Sequence, residues 1–533
     1  MVLNRTKEIS SVKVGRHYYQ AYQDNEVYSI YGIPYAHLKM NVAGQPLIFS
    51  PPVDYASTSP RPLFDPVDKE LDQVSYSNSP EDFPACLQAK SSYPRSAACQ
   101  YLNLHVPKSA VENTETSLPC LFFIHGGSFM NGSNRSEEIN GDYLAANLNI
   151  IVAIPNYRIG PLGFCDFSQF DAECTPNNGF RDLCSALRWL QRELASFGGD
   201  PNNITIMGES SGGSIVSAFP FVKEAKGLFK RAIILSGIPY AFIEPEESYQ
   251  RSRDFLSYCE VKQPSELYPP ERWPDLNQLI KGFSAEDGIG SGTYTPSTQN
   301  DILEANPIAL MRRTHQRGEK LQIPLWCSMT KDELAVLTKI PTMAENWGIE
   351  GIMDEGIDES DAAWYQALRE AYLERMSPAE ARSQVITDAM IGIPMEWYAE
   401  EASKVTPTYF TRLDWSSAAQ KVSNFGAFHT SDLYLLFGNQ YAKHGTYFFR
   451  GLVTSKQYQE VSQEMQADLK LFMTESHLRG TYGQESLADY SQQDHRIKAY
   501  DSPTRMRPVM DPDLRELWKA GHFYKKIINE AAD

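Results

Sequence analysis

The chain has 533 residues, of which 42% are hydrophobic, and it carries a formal net charge of −18 at pH 7. The hydrophobic share is normal for a globular protein with a sizeable core, and the acidic balance argues against a nucleic-acid-binding protein, which needs a basic surface. The N-terminal residues lack the apolar core of a signal peptide, and no apolar run approaches the roughly 18 residues of a membrane span. We therefore expect a cytoplasmic protein, or a secreted one if a leader has been removed.

The N-terminal third predicts short strands followed by a helix. Four runs are β-rich or apolar and are bounded by turn residues, as buried strands are: NEVYSIYGIPYA, QYLNLHVP, PCLFFIHGG and IIVAIPNYRIGPLGF. The next segment, GFRDLCSALRWLQRELASFGG, predicts a helix that ends at the Gly-Gly pair. Its apolar residues recur at helical spacing: Leu183, Ala186, Leu187, Leu190 and Leu194.

The rest of the chain continues the alternation of strand and helix. NNITIMGESSGGSIVSAF predicts a strand, a tight turn and a helix, and further strands are predicted in FKRAIILSG, IPLWCSMTKDE and PTYFTRLDW. Residues from about 239 to 322 have an irregular pattern rich in proline, and residues 341–405 are largely helical in pattern. The alternation predicts a parallel sheet with helices on its faces. We predict one domain over 1–533, with these two segments as excursions over the C-terminal edge of the sheet.

The turn in GESSGG carries the clearest chemical signal. Gly208 and Gly212 flank Ser210 in a G-x-S-x-G pattern, in which a serine nucleophile occupies a sharp strand-to-helix turn and needs small residues two positions away on each side. Ser211 fails this requirement because Glu209 is one of its flanks. The alternative is a small-residue turn without chemistry. The strand predicted before the turn and the helix predicted after it favour Ser210 as a nucleophile.

A second Gly-rich loop follows a predicted strand upstream, in FFIHGGSFMNG from Phe122 to Gly132. A serine hydroxyl is a poor nucleophile without a base and a site that stabilises the oxyanion. Glycines let backbone N–H groups approach a substrate closely. A plain Gly-rich loop is the alternative, but its position upstream of the G-x-S-x-G turn favours an oxyanion loop.

Longer segments resemble the type-B carboxylesterase/lipase family, which includes cholinesterases and fungal lipases. They are AIPNYRIGPLGF, ALRWLQRELASFGGDPNNITIMGESSGG and GLFKRAIILSG. The resemblance runs from VYSIYGIPYA to GAFHTSDLYLLFG, covers most of the chain, and is greatest to fungal members around FHTSD. It implies an α/β-hydrolase fold: a large, mostly parallel central sheet with helices on both faces and helical excursions over the active-site edge.

The resemblance also implies the partners of Ser210. The family glutamate lies in a segment like TKDEL, which indicates Glu333 rather than Asp332, and the family histidine lies in a segment like GAFH, which indicates His429. Serine, acid and histidine then follow the chain order of α/β-hydrolases. The residues alone do not choose among ten histidines. His125 is the rival, although its place before the oxyanion loop suits support of that loop better.

The activity implied by the resemblance is hydrolysis of a carboxylic ester through an acyl-enzyme. The backbone N–H groups of Gly127, Ser128 and Ser211 are the expected oxyanion donors. Ser236 matches a family serine that contacts the glutamate, and Glu209 is expected to support the site beside it. The expected partner is a small-molecule ester or lactone. No metal or organic cofactor is implied, and no sequence feature indicates an oligomeric state.

The chain departs from the family pattern at several positions. Ser128 replaces the third glycine of the oxyanion loop, which keeps the N–H but adds a side chain. SAACQYLN replaces the family's SEDCLYLN, so Ala97 and Ala98 stand where acids would be, and Ile48 stands where the family has an arginine. Both halves of one ion pair are thus missing together, which is far less costly than losing one.

A cysteine pair gives a further expectation. Cys86 and Cys99 match family cysteines that close a loop over the active site; they are a possible disulfide here, reduced if the protein is cytosolic. They lie only 13 positions apart, which predicts a short lid and favours soluble esters over a lipid interface. The loop lacks tryptophan, which argues against a choline ester held by cation–π attraction.

Two other functions are compatible with the same pattern. A specialised member of the family could open a lactone or transfer an acyl group to an alcohol with the same three residues. A non-catalytic interaction protein, like the neuroligins, is the second alternative. The intact Ser210 argues against it, because such proteins typically lose the nucleophile.

Overall fold

In the computed structural model, one large sheet runs through the protein. The structure describes residues 8–15, 17–23, 26–55, 72–73, 95–113, 115, 117–286, 294–336, 362–439, 456–479, 490, 495–521 and 524.

Within these ranges, twelve strands form the central sheet and four form two small sheets. The strands are β1 (Glu8–Val14), β2 (His17–Gln23), β3 (Val27–Pro34), β4 (Ala36–Leu38), β5 (Pro52–Asp54), β6 (Asp72–Gln73), β7 (Arg95–Ser96), β8 (Tyr101–Pro107), β9 (Leu118–Ile124), β10 (Ile151–Pro155), β11 (Gly199–Glu209), β12 (Arg231–Leu235), β13 (Leu325–Thr330), β14 (Thr408–Leu413), β15 (Arg496–Tyr500) and β16 (Arg505–Pro508).

The order across the central sheet is β1-β2-β3-β8-β10-β9-β11-β12-β13-β14-β15-β16. All neighbours from β10 to β15 in that order pair in parallel, whereas the pairs at both edges are antiparallel. The mostly parallel sheet predicted from the alternation of elements is therefore confirmed. The carboxyl ends of the parallel strands share one edge, so the loops after them meet there.

The α-helices lie between and beyond these strands, and none in the described ranges is long and apolar enough to cross a membrane. They are α1 (Lys108–Glu112), α2 (Asp142–Leu148), α3 (Gly160–Phe164), α4 (Asn178–Glu193), α5 (Ser211–Ala218), α6 (Pro245–Tyr258), α7 (Trp273–Glu286), α8 (Pro307–Gln316), α9 (Ala362–Arg375), α10 (Pro378–Thr387), α11 (Ile393–Ser403), α12 (Ala418–Val422), α13 (Ser431–Leu436), α14 (Lys456–Glu475) and α15 (Pro512–Ala520).

Each face of the sheet buries its own core. In β9, Phe122 and Ile124 belong to one hydrophobic cluster, and Leu121 and Phe123 belong to the other. This alternation follows from the two-residue period of a strand and explains why the buried strands are apolar throughout. Helix α4 covers the first face with the apolar residues that the sequence places at helical spacing, and α14 covers the second.

The predicted elements are confirmed with two differences. The run IIVAIPNYRIGPLGF forms β10 only as far as Pro155 and then turns into the short helix α3. The segment 239–322, predicted to be irregular, contains α6, α7 and α8. The helical pattern of 341–405 is confirmed from residue 362 onward, with a π-helical turn at Asp388–Gly392, and residues 341–361 lie outside the described ranges. The single-domain interpretation stays a prediction.

A buried ion pair anchors the segment that contains Ile48. The Arg158 guanidinium donates to both oxygens of Asp182, at 2.8 and 2.7 Å, and both side chains are fully buried. The same guanidinium donates to the carbonyl oxygens of Ile48 and Ser50, at 3.0 and 2.7 Å. Arg158 therefore anchors residues 48–50 to Asp182 in the first half of α4.

Asp182→Ala is expected to lower the free energy of unfolding by about 3–5 kcal/mol, because it leaves the Arg158 charge buried without its partner. Urea denaturation measures this loss. The matched control, Arg158→Met with Asp182→Leu, should recover only part of it, since the carbonyl groups of Ile48 and Ser50 then lack their donor. If Asp182→Ala lowered the free energy of unfolding by less than about 1 kcal/mol, the buried pair would contribute no more than an exposed ion pair does, which would contradict this prediction.

Candidate active site

The turn between β11 and α5 holds Ser210 in a strained conformation. Its φ is +56° and its ψ is −126°, and its backbone N–H donates to the carbonyl oxygen of Leu235 at 2.9 Å. A Cβ atom on Gly208 would lie 2.3 Å from the carbonyl oxygen of Gly212, and one on Gly212 would lie 2.2 Å from that of Ile124. Both flanking positions thus require glycine, and the predicted strand, sharp turn and helix are confirmed.

The loop after β9 lies directly against this turn. A Cβ atom on Gly126 would lie 2.7 Å from Oε2 of Glu209 and 2.8 Å from Cβ of Ser210. Gly127 has a φ of +119°, and a Cβ atom there would lie 2.4 Å from the carbonyl oxygen of Asn131. Ser128 follows with a φ of +54° and an exposed side chain. A positive φ at a serine is strained, which is typical of functional loops.

The three backbone N–H groups predicted as oxyanion donors lie on the two segments that meet at the Ser210 turn. Those of Gly127 and Ser128 come from the loop, and that of Ser211 comes from the first residue of α5. Within the described part of the chain, none of the three donates a hydrogen bond to another protein group. Free N–H groups beside a helix N-terminus favour negative charge.

His125 supports the loop. Its ring stacks on the Tyr157 ring, with centroids 4.6 Å apart, and its Nδ1 lies 2.9 Å from the carbonyl oxygen of Gly126. The Tyr157 hydroxyl also donates to the carbonyl oxygen of His125 at 2.8 Å. Burial lowers the pKa of His125 to about 4. A neutral, stacked imidazole that holds the loop matches the supporting role suggested by the sequence.

His429 and Glu333 form a close pair. Nδ1 of His429 lies 2.6 Å from Oε2 of Glu333, which is fully buried, and the backbone N–H of His429 donates to the Glu333 carbonyl oxygen at 2.9 Å. The other carboxylate oxygen accepts from the Ser236 hydroxyl at 2.6 Å and from the Thr330 N–H at 2.7 Å. The contact expected for Ser236 is present, and Thr330 is an additional partner that sequence reasoning did not identify.

Asp332, the neighbouring acid, has a different task. Its Oδ2 accepts the backbone N–H of Ala427 at 2.8 Å, two residues before His429. Gly426, with a φ of +59°, allows this approach, because a Cβ atom there would lie 2.1 Å from the same oxygen. Asp332 therefore holds the backbone of residues 426–429, which we call the histidine loop, while Glu333 contacts the imidazole.

The second imidazole nitrogen lies close to the Glu209 carboxylate. Nε2 of His429 lies 3.2 Å from Oε1 of Glu209. Ser210 Oγ makes no hydrogen bond within the described part of the chain, although its Cβ and the Glu209 carboxylate both border Gly126. The structure thus gathers all three predicted residues at one end of the sheet, with the hydroxyl–imidazole hydrogen bond not formed. Catalytic hydrogen bonds are often loose in structures without substrate.

Comparison with known proteins identifies the family. The family model described as "Carboxylesterase family" matches residues 12–512 of the chain. The chain belongs to the carboxylesterase family. Membership across nearly the whole length makes it a carboxylic-ester hydrolase, as the sequence segments predicted.

Individual relatives agree with this membership. The para-nitrobenzyl esterase of Bacillus subtilis (strain 168) is 28% identical over 437 residues, which cover 78% of this chain and 80% of that protein. The juvenile hormone esterase of Heliothis virescens is 31% identical over 283 residues, 48% of each chain. The crystal structure of the Geobacillus stearothermophilus carboxylesterase EST55 superposes with a TM-score of 0.72 at 22% identity, covering 95% of this chain and 99% of that one.

These structural neighbours confirm the α/β-hydrolase fold predicted from the sequence. The resemblance to fungal members stays a prediction. The possible disulfide also stays a prediction, because Cys86 lies outside the described residues, whereas Cys99 is fully buried. Most of the short lid predicted between these two cysteines, residues 87–94, also lies outside the described residues.

The site is crowded with carboxyl groups. Burial raises the pKa of Glu209 to about 8. Burial also raises the pKa of Asp432, three residues after His429, to about 7, and the negative charge of Glu333 adds to this rise. Burial opposes protonation of His429, but the carboxylates of Glu209 and Glu333 outweigh it and raise the His429 pKa to about 9. Asp432 was missed by sequence reasoning, although it ends the FHTSD motif.

The helical segment from 362 to 403 contacts the loop that carries Glu333, which we call the acid loop. The backbone N–H of Leu334, next to Glu333, donates to the Thr387 hydroxyl at 3.1 Å. Thr387 ends α10, immediately before the π-helical turn. This excursion from the sheet is therefore in direct contact with the loop that carries Glu333, and π-turns are frequent at such functional positions.

Proposed function

We propose that the protein hydrolyses carboxylic esters through an acyl-enzyme, with Ser210 as nucleophile, His429 as general base and acid, and Glu333 as the residue that orients the imidazole. The observation that carries this proposal is the 2.6 Å contact between His429 and Glu333 beside the strained Ser210 turn. Membership of the carboxylesterase family supports the same chemistry.

The proposed reaction has two balanced halves. As Ser210 Oγ bonds to the ester carbonyl carbon, its proton passes to Nε2 of His429, and the carbonyl π-electrons move onto oxygen. Collapse of this tetrahedral intermediate breaks the bond to the alcohol oxygen, which takes the proton from His429. Water then attacks the acyl-enzyme with the same proton transfers and releases the acid and free Ser210.

The N–H groups of Gly127, Ser128 and Ser211 are proposed to stabilise the oxyanion. They lack other acceptors in the described part of the chain, and removing one such donor typically costs about 10²–10³-fold in kcat. The Ser128 hydroxyl lies on this loop as well, so it is available to contact the acyl group.

Glu209 is proposed to hold His429 between turnovers. For catalysis, Nε2 must leave the Glu209 carboxylate, 3.2 Å away, and accept the Ser210 proton. A negative Glu209 favours the imidazolium and opposes this step. When Glu209 carries a proton instead, which its raised pKa permits near neutral pH, its hold on the imidazolium is weakened.

Glu209→Gln is expected to shift the acid limb of the pH profile of kcat/KM to lower pH. The glutamate charge raises the His429 pKa, so its removal lowers that pKa, and the unprotonated base is then present at lower pH. Rates with p-nitrophenyl butyrate from pH 5 to 10 measure the shift. An acid limb that stays in place would show that Glu209 does not couple to the catalytic base.

A serine-directed phosphonate ester tests the nucleophile. We expect loss of esterase activity with one adduct on the peptide that contains Ser210, and an adduct on another peptide would overturn the assignment. A panel of p-nitrophenyl esters, a p-nitrobenzyl ester, lactones and an alcohol acceptor separates hydrolysis from lactone opening and acyl transfer. The p-nitrobenzyl ester is included because of the bacterial relative.

A further inference from the structure

A small cavity lies between α9 and α10, in the helical segment that braces the acid loop. It has a volume of about 130 Å³, and its lining includes Tyr365, Arg369, Tyr372, Leu373, Pro378 and Arg382. A single water needs only about 10–15 Å³ measured in this way, so the cavity accommodates a small molecule. None of the proposed catalytic residues is among those that line it.

Its two arginines are uncompensated. Arg369 and Arg382 are exposed, and within the described ranges neither forms an ion pair or a hydrogen bond through its side chain. Their charged neighbours are engaged: Arg375 pairs with Asp513 at 3.2 Å, and Glu380 accepts the Ser377 N–H at 3.0 Å as part of a capping box. The cavity thus brings two unpaired guanidinium groups together in a chain of net charge −18.

The base of the cavity is rigid and aromatic. Tyr372 is fully buried; its hydroxyl donates to Asp388 and accepts from the Trp518 indole N–H at 2.9 Å. Tyr372 therefore fixes the floor beneath the cavity, and the exposed side chains of Leu373 and Pro378 contribute its apolar surface. The wall therefore combines apolar side chains with charged ones. Among the described lining residues, the only unmatched charges are the two guanidinium groups, which suit carboxylate or phosphate oxygens.

We propose that this cavity binds a small organic anion, in which a carboxylate or phosphate head contacts Arg369 and Arg382 and a short apolar or aromatic body packs on the exposed side chains of Leu373 and Pro378. Binding sites of this kind combine apolar walls with a few placed polar groups. The proposal is independent of the catalytic assignment, because it uses no residue of the Ser210 site.

Isothermal titration calorimetry of the 533-residue chain at low salt tests the site with benzoate, phenyl phosphate and the uncharged benzyl alcohol. The test variant is Arg369→Gln with Arg382→Gln. The matched control is Arg317→Gln with Lys421→Gln, which removes two exposed cations outside the cavity and changes the net charge equally. Melting temperature and p-nitrophenyl butyrate turnover should be unchanged in both variants.

We expect benzoate or phenyl phosphate to bind the wild type and the control equally and the test variant at least tenfold more weakly, with no binding of benzyl alcohol. The tighter of the two anions then identifies the preferred head. The proposal is overturned if neither anion binds, if the test variant keeps wild-type affinity, or if benzyl alcohol binds as tightly as benzoate. Loss of esterase activity in the Ser210 variants leaves this outcome unaffected.

Discussion

Ser210→Ala is expected to lower kcat for p-nitrophenyl butyrate by on the order of 10⁴- to 10⁶-fold, because the hydroxyl that forms the acyl-enzyme is gone. The oxyanion donors remain, so a small residual rate over uncatalysed hydrolysis should persist. Circular dichroism and melting temperature should match the wild type, since alanine keeps the Cβ atom and the backbone of the turn. Turnover within tenfold of the wild type would remove Ser210 from the mechanism.

Ser210→Gly provides a matched control that separates strain from chemistry. Glycine also lacks the hydroxyl, so the loss of turnover should equal that of the alanine variant. The positive φ of +56° costs a non-glycine residue about 1 kcal/mol or more, which glycine avoids. The glycine variant should therefore unfold at a higher urea concentration than the alanine variant. This result is expected if the strained backbone at residue 210 lowers stability but is needed for activity.

The sequence was sufficient for the sheet and the nucleophile because both depend on local rules. Buried parallel strands must be apolar on both faces, and α4 must place its apolar residues at helical spacing. The turn at Ser210 admits only glycine at two positions, and a Cβ atom at either would overlap a carbonyl oxygen. These constraints act within a few residues, so they are visible before any tertiary contact is known.

In the segment from 239 to 322, the prediction of an irregular chain is wrong because of how its prolines are interpreted. Its prolines suggested an irregular chain, yet Pro245 and Pro307 each begin a helix, and Pro264 and Pro270 each begin a 3₁₀ helix. Proline fits the first helical position because that N–H has no partner within the helix and the fixed φ is already helical. The prolines were therefore start signals, and the helices between them were missed.

The partners of Ser210 depend on contacts over about a hundred residues, which no local pattern predicts. Asp332 and Glu333 are adjacent carboxylates, and only the packing of the histidine loop gives one the Ala427 N–H and the other the imidazole. Family resemblance supplied Glu333 and His429. Asp432 lies in the FHTSD motif, but the sequence does not show that its buried carboxyl group is close enough to Glu333 and His429 to interact with their charges.

Glu333→Gln is expected to lower kcat by about 10³–10⁴-fold, although it is nearly isosteric. One oxygen of Glu333 accepts from Ser236 and Thr330, so an amide NH₂ is poorly tolerated there. If the NH₂ faces His429 instead, it needs an acceptor, and the imidazole must then carry its proton on Nε2. That tautomer cannot take the proton of Ser210.

Ser236→Ala is the matched control for this prediction. It removes one hydrogen bond to Glu333 but keeps the carboxylate, its 2.6 Å contact with His429 and the Thr330 N–H, so a loss of about tenfold or less in kcat is expected. Steady-state kinetics of both variants, with melting temperatures to confirm folding, measure the difference. Equal losses in the two variants would mean that the acid loop contributes through its shape, whereas a gap of a hundredfold or more assigns the effect to the carboxylate that sets the imidazole tautomer.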